Sequence, residues 1–426
     1  MVKQIGIIGL GTVGTGVLKI FIENKILIEN KIGVSLDIKK IADLDITTQR
    51  GVEIDPKKMT KNSEDVILDP DIEIVISLIG GINPEKEFIL KALKNKKHVV
   101  TANKALLAEC GKEIFNTAFE NNVRVCFEAC VGGGIPIIRS LGEGLAANRI
   151  KSIFGILNGT ANFIITQMQN EKKDFKTALN LAKKLGYAEA DPTLDIEGID
   201  TAHKLSILSS MAFGQPVPLE KIYCEGISQI NSFDIEYAEE FGFSIKLLAI
   251  AKDTGKGIEV RVHPTMLPKE YMLSTVDGVF NAVYINGDSV GPTMYYGQGA
   301  GAMPTASAVW SDIMELISKK TNLKSSSIYF EKNPKIISNI NDLYTKYYLR
   351  FSTLDHSGVL SRISGILGKM NISIASVMQK ERSEGNKVPI VMLTHEANEA
   401  DMQKALAEIN KLDMIKDKTV LIRVEK

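Results

Sequence analysis

The chain has 426 residues, too many for one comfortable hydrophobic core, so two or three domains are expected. Its 44% hydrophobic content is that of a globular protein, and 51 basic residues balance 51 acidic ones, which gives no electrostatic reason to expect nucleic acid or a membrane as partner. The N-terminal apolar run is too short for a signal peptide, and the four cysteines lack zinc-type spacing. We therefore expect a cytoplasmic protein that acts on small metabolites.

The N-terminal segment predicts a nucleotide-binding unit. A continuous apolar strand, residues 4–10, leads into a glycine-rich turn and then into a helical pattern. A strand, a turn of the form G-x-G-x-x-G and a helix in this order indicate a dinucleotide fingerprint, with the pyrophosphate at the helix N-terminus. The predicted cofactor contacts are Gly9, Gly11, Thr12, Val13 and Gly14.

The residues after the second predicted strand (38–42) bear on the choice between NAD and NADP. Asp43 stands where an acidic side chain binds the adenosine ribose hydroxyls of NAD, and an acid disfavours the extra phosphate of NADP. Arg50, Lys57 and Lys58 follow closely and could offset that preference. Both cofactors stay open, with NAD favoured.

The first 130 residues predict a doubly wound parallel sheet. Further strands are expected at 74–79, 98–101 and 123–128, with helices at 84–95 and 105–121. Strands that alternate with helices form such sheets, and their ligands bind at the carboxyl ends of the strands. Thr101 and Lys104 follow one strand end and are predicted to face the cofactor, although a solvated lysine at a helix start is the simpler alternative.

Residues 127–136 form a second glycine-rich turn after a strand. Such a turn can aim backbone carbonyl oxygens inward, and with the carboxylate of Glu128 beside it could hold an alkali cation through oxygen ligands. Cys130 lies inside the turn.

The middle of the chain predicts a second domain with a mixed sheet. A strand from Ile150 leads through a glycine turn into a helix, and a further helix covers residues 175–185. The segments 243–251, 257–262 and 279–285 are interpreted as a helix followed by strands. A last helix, from Tyr296 to Leu316, opens with glycines and a proline and so offers free amide groups to a ligand.

Residues 182–204 combine five carboxylates with apolar residues and end at Lys204. Apolar residues recur at helical spacing from Ile199, which places Asp200 and Lys204 one turn apart on one face. A carboxylate so placed could hold an ammonium group pointed into a cleft. The alternative is a surface ion pair, worth only about 0.3 to 0.5 kcal/mol.

The C-terminal residues 343–426 follow a segment 321–342 that is interpreted as a linker. Their pattern of strands and helices reads βαββαβ and resembles an ACT domain. Such domains bind amino acids at the loop after the first strand, which here contains Asp355, Gly358 and Leu360. Purely structural use of the domain is the alternative.

Residues 186–204 closely resemble the signature of homoserine dehydrogenases, and three other segments agree with that family in order. The resemblance implies reversible reduction of L-aspartate 4-semialdehyde to L-homoserine by NAD or NADP, on the route from aspartate to threonine and methionine. It also implies an α/β fold: a Rossmann domain (1–130, completed by the helix near 297–320), an α+β substrate and dimerisation domain (131–320) and the ACT domain. A homodimer or larger homo-oligomer is expected.

The resemblance also assigns roles to individual residues. Lys204 would be the proton donor, oriented by Asp200, with Lys104 adding positive charge near the same oxygen. The remaining implied contacts are with substrate (Glu189, Asp195, Tyr187), cofactor (Gly186, Gly301) and a sodium or potassium ion (Glu128 and the carbonyl oxygens of Val131, Gly133 and Ile135). Threonine is the implied effector of the ACT domain.

The sequence is also compatible with two other functions. One is a phosphorylating semialdehyde dehydrogenase with Cys130 as nucleophile, which would need a histidine base that the sequence does not pair with it. The other is a non-catalytic amino-acid sensor, in which the Rossmann part only docks a nucleotide.

Overall fold

A computed structural model of the chain describes residues 2–318, 334–379 and 387–425. Residues 321–333, the larger part of the predicted linker, lie outside these ranges. The chain divides into two compact units. Unit 1 contains Met1–Ile153, His203–Glu220 and Asn281–Lys335, and unit 2 contains Phe154–Ala202, Lys221–Phe280 and Ile336–Lys426. No helix of the described residues has the length and apolar character to cross a membrane.

Unit 1 holds a parallel sheet whose order is β3-β2-β1-β4-β5-β6. The strands are β1 (Val2–Ile8), β2 (Ser35–Ala42), β3 (Met59–Thr60), β4 (Ile72–Ser77), β5 (His98–Thr101) and β6 (Val125–Cys126). The connecting helices are α1 (Thr12–Ile32), α2 (Glu64–Ile67), α3 (Glu85–Lys94) and α4 (Lys104–Glu120). This strand order is that of a dinucleotide-binding Rossmann fold, as the sequence predicts.

A late segment of the chain completes the core of unit 1. Helix α11 (Ala302–Ser318) packs on α1, where Trp310 stacks on Phe21 with ring centroids 5.3 Å apart and donates its indole N–H to the carbonyl of Val17 at 2.9 Å. A stacked pair of this kind is worth about 0.5 to 1.5 kcal/mol beyond its burial. Unit 1 also contains α5 (Ile137–Arg139) and the neighbouring strands β11 (Phe280–Gly287, from Asn281 onward) and β12 (Gly291–Gln298).

Unit 2 contains a mixed sheet in the order β9 (Phe243–Asp253), β10 (Ile258–Pro268), β17 (Ile415–Val424), β13 (Tyr344–Leu354), β15 (Lys387–Thr394) and β14 (Ile374–Met378). Strand β10 pairs antiparallel with β9 and parallel with β17 and with the short β8 (Tyr223–Cys224). The first elements along the chain are α6 (Gly159–Asn170), α7 (Phe175–Lys184), α8 (Thr193–Ile196), β8 (Tyr223–Cys224), α10 (Ser232–Glu240), β9 (Phe243–Asp253) and β10 (Ile258–Pro268). Strand β7 (Ile150–Ile156) and helix α9 (Ile199–Ala212) continue from one unit into the other along the chain.

The remaining elements of unit 2 form the predicted βαββαβ domain. They are β13 (Tyr344–Leu354), α12 (Val359–Lys369), β14 (Ile374–Met378), β15 (Lys387–Thr394), β16 (Ala397–Asn398), α13 (Glu399–Ile409) and β17 (Ile415–Val424). Apolar side chains of these elements make their own core. The domain nevertheless shares one sheet with β9 and β10 through β17.

Two sequence predictions about secondary structure are wrong. Segment 243–251 is not a helix but most of β9, in which residues 244–251 are all buried. A strand covered on both faces has a continuous apolar run, which periodicity cannot distinguish from a buried helix. The helix predicted from Tyr296 begins only at Ala302, because β12 extends to Gln298 and Gly301 has a left-handed φ of 121°.

Candidate active site

The glycine turn after β1 leaves room for a ligand at the start of α1. Gly9 has a φ of 96°, and a Cβ there would lie 2.9 Å from the backbone of Leu78. A Cβ on Gly14 would lie 2.4 Å from the carbonyl oxygen of Gly9, whereas one on Gly11 would meet nothing within 4 Å. The first and third glycines therefore allow tight packing, and the second leaves open space beside the amides of Thr12 and Val13, where a pyrophosphate can approach.

An acid and a guanidinium lie side by side after β2. Asp43 accepts the backbone amide of Leu10 at 2.5 Å through one oxygen and that of Asp45 at 2.8 Å through the other. Arg50 donates to the carbonyl of Asp45 at 2.6 Å and lies 3.4 Å from the Asp43 carboxylate. The acid is thus fixed beside the fingerprint, with a cation next to it.

The carboxyl ends of β4 and β5 meet at a carboxyl group that the sequence analysis missed. Glu85, with no exposed surface, accepts the hydroxyls of Ser77 at 2.8 Å and Thr101 at 3.3 Å, and the amide of Asn103 at 2.5 Å. Burial raises the pKa of Glu85 to about 7. Asn103 also caps α4, the helix that begins with Lys104. The buried network therefore holds the predicted cofactor-side residue Thr101 and fixes the start of the helix that carries Lys104.

The second glycine turn is fixed from both sides. The two carboxylate oxygens of Glu128 accept the amides of Ile138 at 2.8 Å and Arg139 at 2.9 Å, and burial raises the pKa of this carboxyl. Gly133 has a φ of 54°, and a Cβ there would lie 2.7 Å from the backbone of Gly299. The carbonyl of Ile135 accepts the amide of Ile137 at 2.8 Å. No cluster of three or more His, Cys, Asp or Glu side chains suited to a metal occurs among the described residues.

Cys130 lacks the environment of a catalytic thiol. Its side chain is buried, donates to the carbonyl of Thr101 at 3.4 Å, and has a pKa that burial raises well above the ordinary value. A nucleophilic cysteine needs the thiolate, which a neighbouring cation or base normally stabilises. The structure therefore argues against the alternative that uses Cys130 as nucleophile.

An asparagine in unit 2 brings two of the predicted carboxylates together. The side-chain amide of Asn158 donates to Asp195 at 2.7 Å and to Asp200 at 2.9 Å, and its oxygen caps α6 by accepting the amide of Ala161 at 2.8 Å. The carboxylates of Asp195 and Asp200 would repel each other if nothing lay between them. The Asn158 amide binds both and so holds them at fixed positions. Asn158 is not among the site residues expected from sequence, although an Asn-Gly pair between a strand and a helix is a signal for it.

Lys204 lies on α9, one turn after Asp200, and each residue keeps only 7% of its surface exposed. Fully buried lysines are rare and need a compensating environment, so this position is not an ordinary surface ion pair. Glu189 and Tyr187 are exposed in the stretch between α7 and α8. The Tyr187 carbonyl accepts the hydroxyl of Thr160 at 2.5 Å, and the Tyr187 ring packs edge-on against Phe163.

The other predicted ligand residues occupy separate turns. Gly186 follows α7 with a φ of 76°, and Gly301 precedes α11 in unit 1. Gly358 caps α12 with a φ of 90°, and a Cβ there would meet no atom within 4 Å. Asp355 and Leu360 flank this cap, and Leu360 is 43% exposed. The open space lies beside the amides at the start of α12.

Comparisons with known proteins identify the family of the chain. Residues 9–128 match the model "Homoserine dehydrogenase, NAD binding domain", residues 136–314 match "Homoserine dehydrogenase", and residues 347–413 match "ACT domain".

Homoserine dehydrogenases resemble the chain over 76% to 100% of its length. A homoserine dehydrogenase of Neisseria gonorrhoeae is 45% identical over 99% of this chain and 98% of its own. A crystal structure of a homoserine dehydrogenase from Thiobacillus denitrificans is 43% identical and superposes with a TM-score of 0.92 over 100% of this chain and 99% of its own. A hyperthermophilic archaeal homoserine dehydrogenase in complex with NADPH is 29% identical, with a TM-score of 0.64 over 76% of this chain and all of its own. The chain therefore belongs to the homoserine dehydrogenase family, NAD(P)-dependent oxidoreductases that interconvert L-homoserine and L-aspartate 4-semialdehyde.

Proposed function

We propose that Lys204 is the general acid and base of this oxidoreductase. The observation that carries the proposal is the nearly buried lysine on α9, one turn after a carboxylate that Asn158 holds in place. When bound beside the fingerprint, the nicotinamide supplies or accepts the hydride. In reduction of the semialdehyde the Lys204 ammonium donates a proton to the carbonyl oxygen, and in oxidation of homoserine the neutral amine takes the hydroxyl proton.

The other predicted residues complete the proposed substrate site. Asp200 orients the Lys204 side chain, and Lys104 adds positive charge near the oxygen that gains the proton. Glu189 binds the substrate ammonium group or fixes a bridging water, and its exposed carboxylate is accessible for either role. Asp195 and Tyr187 line the same site, with Asp195 held by the Asn158 amide.

Replacement of Lys204 by alanine tests the proposal directly. We expect a loss of about 100- to 10,000-fold in turnover, the usual contribution of a general acid or base, with cofactor affinity unchanged. Steady-state rates with homoserine and a fluorescence titration of NADH separate the two effects. Lys184→Ala, an exposed lysine at the end of α7, is the matched control. Retention of more than a tenth of the wild-type rate would show that Lys204 has a structural role only.

For the cofactor, we propose a preference for NAD over NADP. Asp43 is fixed by two backbone amides beside the fingerprint, where it suits ribose hydroxyls, while Arg50 beside it keeps some affinity for a phosphate. Initial rates with both cofactors measure the ratio. Asp43→Ser should shift it towards NADP, and an unchanged ratio would remove Asp43 from cofactor selection.

We also propose that the turn 131–135 binds sodium or potassium. The Glu128 carboxylate and the main-chain oxygens of Val131, Gly133 and Ile135 are oxygen ligands of the kind that such an ion takes, and the backbone amides that Glu128 and the Ile135 carbonyl accept fix the turn around them. The ion would stabilise the turn. Thermal unfolding in sodium, potassium and choline chloride at equal ionic strength tests this, and equal melting temperatures in all three would contradict it.

The C-terminal domain is proposed to bind threonine at Asp355, Gly358 and Leu360. The open space at Gly358 and the amides of α12 support a carboxylate ligand there. Calorimetric titration of threonine, serine and methionine into the full chain, with parallel rate assays, tests the proposal. The absence of binding at millimolar concentration would leave the domain a structural role.

We further propose a cytoplasmic homodimer or larger homo-oligomer. Strand β14 ends the sheet order of unit 2, and an edge strand can pair with a second copy. The four cysteines form no disulfide, which suits a reducing compartment. Sedimentation equilibrium across a range of concentrations would detect a monomer and so contradict the proposed assembly.

A further inference from the structure

Arg423, near the end of the last strand β17, contacts a short strand far away in the sequence. Its side chain is 2% exposed, and one guanidinium nitrogen donates to Glu225 at 2.9 Å while another donates to the hydroxyl of Tyr223 at 3.2 Å. The guanidinium also lies 4.8 Å from the centre of the Tyr223 ring. Arg423 therefore holds both ends of the tripeptide that contains β8.

The guanidinium is fixed on its other side by the C-terminal domain. Glu399, at the start of α13, accepts two hydrogen bonds from it at 3.0 Å and 2.6 Å. Glu399 in turn accepts the hydroxyl of Tyr347 at 2.9 Å. A bidentate pair buried in this way has little freedom to move, so Arg423 provides a rigid support for β8.

The tripeptide held by Arg423 leads directly into a segment that packs on the turn before α9. The amide of Ile227 donates to the carbonyl of Ile196 at 2.7 Å, and the Cys224 thiol donates to that of Glu197 at 3.3 Å. A Cβ on Gly226 would lie 2.4 Å from the Ile196 carbonyl oxygen, so the two backbones are in closest contact there. Any movement of residues 224–227 must therefore move the turn 196–198.

The turn 196–198 joins the two carboxylates that Asn158 holds. Asp195 precedes it, and Gly198, with a φ of 79°, gives its carbonyl to the amide of Ala202 in the first turn of α9. Asp200 lies in that same helical turn. A continuous series of contacts thus runs from Arg423 through residues 223–227 to Asp195 and Asp200.

We infer that Arg423, acting through Glu225 and Tyr223, is a positioning residue for the carboxylates Asp195 and Asp200. The C-terminal domain thereby contributes to homoserine turnover through a fixed arginine, separately from any amino acid it binds. The inference rests on the proposed role of those carboxylates in the substrate site. Misplacement of catalytic groups by small distances is costly, so a loosened support should lower activity without removing any group that touches substrate.

Replacement of Glu225 tests the inference with little risk to the fold. The Glu225 side chain is 32% exposed, and the buried pair of Arg423 and Glu399 is kept in the variant. Glu225→Leu removes the oxygen that accepts the Arg423 guanidinium, whereas Glu225→Gln keeps an acceptor oxygen but removes its charge. We expect Glu225→Leu to lower kcat/KM for homoserine by about 3- to 30-fold, with the KM for NAD unchanged, and Glu225→Gln to recover part of the loss.

The matched control is Glu259→Leu. Glu259 is 24% exposed and pairs at 2.6 Å with another buried arginine of the same sheet, Arg261, rather than with Arg423. The control should keep wild-type kcat/KM. Equal losses in the two leucine variants, or equal changes in the homoserine and NAD constants of Glu225→Leu, would overturn the inference. An active Lys204→Ala variant would instead refute the proposed proton transfer and leave the comparison of Glu225 with Glu259 interpretable.

Discussion

At the scale of single residues, Asn158 is the side chain on which the carboxylate geometry depends. Asn158→Asp should keep the cap of α6, because a carboxylate oxygen can still accept the Ala161 amide. The same change removes both donors to Asp195 and Asp200 and adds a third negative charge. We expect kcat/KM for homoserine to fall by about 10- to 1,000-fold, from the loss of two hydrogen bonds to charged groups.

Thermal unfolding and steady-state kinetics together check the Asn158 prediction. Asp174→Asn exchanges acid and amide at the cap of α7, where Asp174 accepts the amide of Thr177, and should leave kinetics unchanged. A wild-type kcat/KM for Asn158→Asp would mean that the two carboxylates need no amide between them.

Glu85 should make stability depend on pH. Its pKa in the folded chain, about 7, lies above its ordinary 4.5, so the folded state binds more protons than the unfolded state between these values. Its contribution is therefore full below about pH 4.5 and is lost as the pH rises through about 7, by roughly 3 kcal/mol at most. Glu85→Gln cannot ionise, so its unfolding free energy relative to wild type should increase from pH 5 to pH 8.

Urea unfolding at several pH values measures this difference, with Glu87→Gln, an exposed residue of the same helix, as control. A difference between Glu85→Gln and wild type that stays constant from pH 5 to pH 8 would contradict the raised pKa. The pH series isolates the ionisation because any loss of the Asn103 hydrogen bond in the variant is the same at every pH.

At the scale of elements, two glycines of the turn before α1 have different roles: Gly14 allows close packing, and Gly11 leaves room for a ligand. Gly14→Ala places a Cβ 2.4 Å from the Gly9 carbonyl oxygen and should destabilise the fold by about 1 to 3 kcal/mol, as overpacking does. Gly11→Ala has open space and an extended backbone with a φ of −69°, so it should fold normally. Its methyl group nevertheless occupies the space of the pyrophosphate, and we expect NAD affinity to fall about tenfold or more.

Melting temperatures and NADH titrations of the two glycine variants distinguish these effects. Each variant serves as the control for the other, since both add one methyl group to the same turn. Normal NADH affinity in a stably folded Gly11→Ala chain would place the pyrophosphate elsewhere.

The sequence predicts elements well where local pattern and packing agree. The strand, turn and helix around Gly9 need only neighbouring residues, and the βαββαβ order of the C-terminal domain follows from alternating periods. The helix predicted for segment 243–251 is wrong because a strand buried on both faces lacks the alternation of apolar and polar residues that would identify it. The side-chain partners of Asn158 and Glu85 could not be predicted, since they lie 8 to 42 positions away and only the fold brings them together.

At the scale of the whole molecule, the C-terminal domain is part of a larger unit. Its strand β17 pairs with β10, and the side chains of Arg350 and Asp234 connect β13 to α10. The sequence shows this domain as a separate βαββαβ unit. It does not show that the domain shares a sheet with β10, because pairing between distant strands leaves no local signal. The shared sheet explains how a proposed effector site and the carboxylates near α9 can belong to one cooperative unit.

The buried pair of Arg350 and Asp234 tests that cooperativity. Arg350, 12% exposed, donates to the fully buried Asp234 at 2.7 Å and 3.0 Å. Arg350→Met removes this positive charge and leaves the Asp234 carboxylate only neutral donors, the Tyr348 hydroxyl and the Asn231 amide among them, so it should cost about 3 to 5 kcal/mol of unfolding free energy. Lys387→Met breaks an exposed pair with Asp417 in the same domain and should leave that free energy near wild type. Denaturant unfolding followed by far-UV circular dichroism measures the unfolding free energy of both variants. If Arg350→Met unfolds the C-terminal domain in a separate early transition, or matches Lys387→Met in stability, then the domain does not fold cooperatively with the sheet it extends.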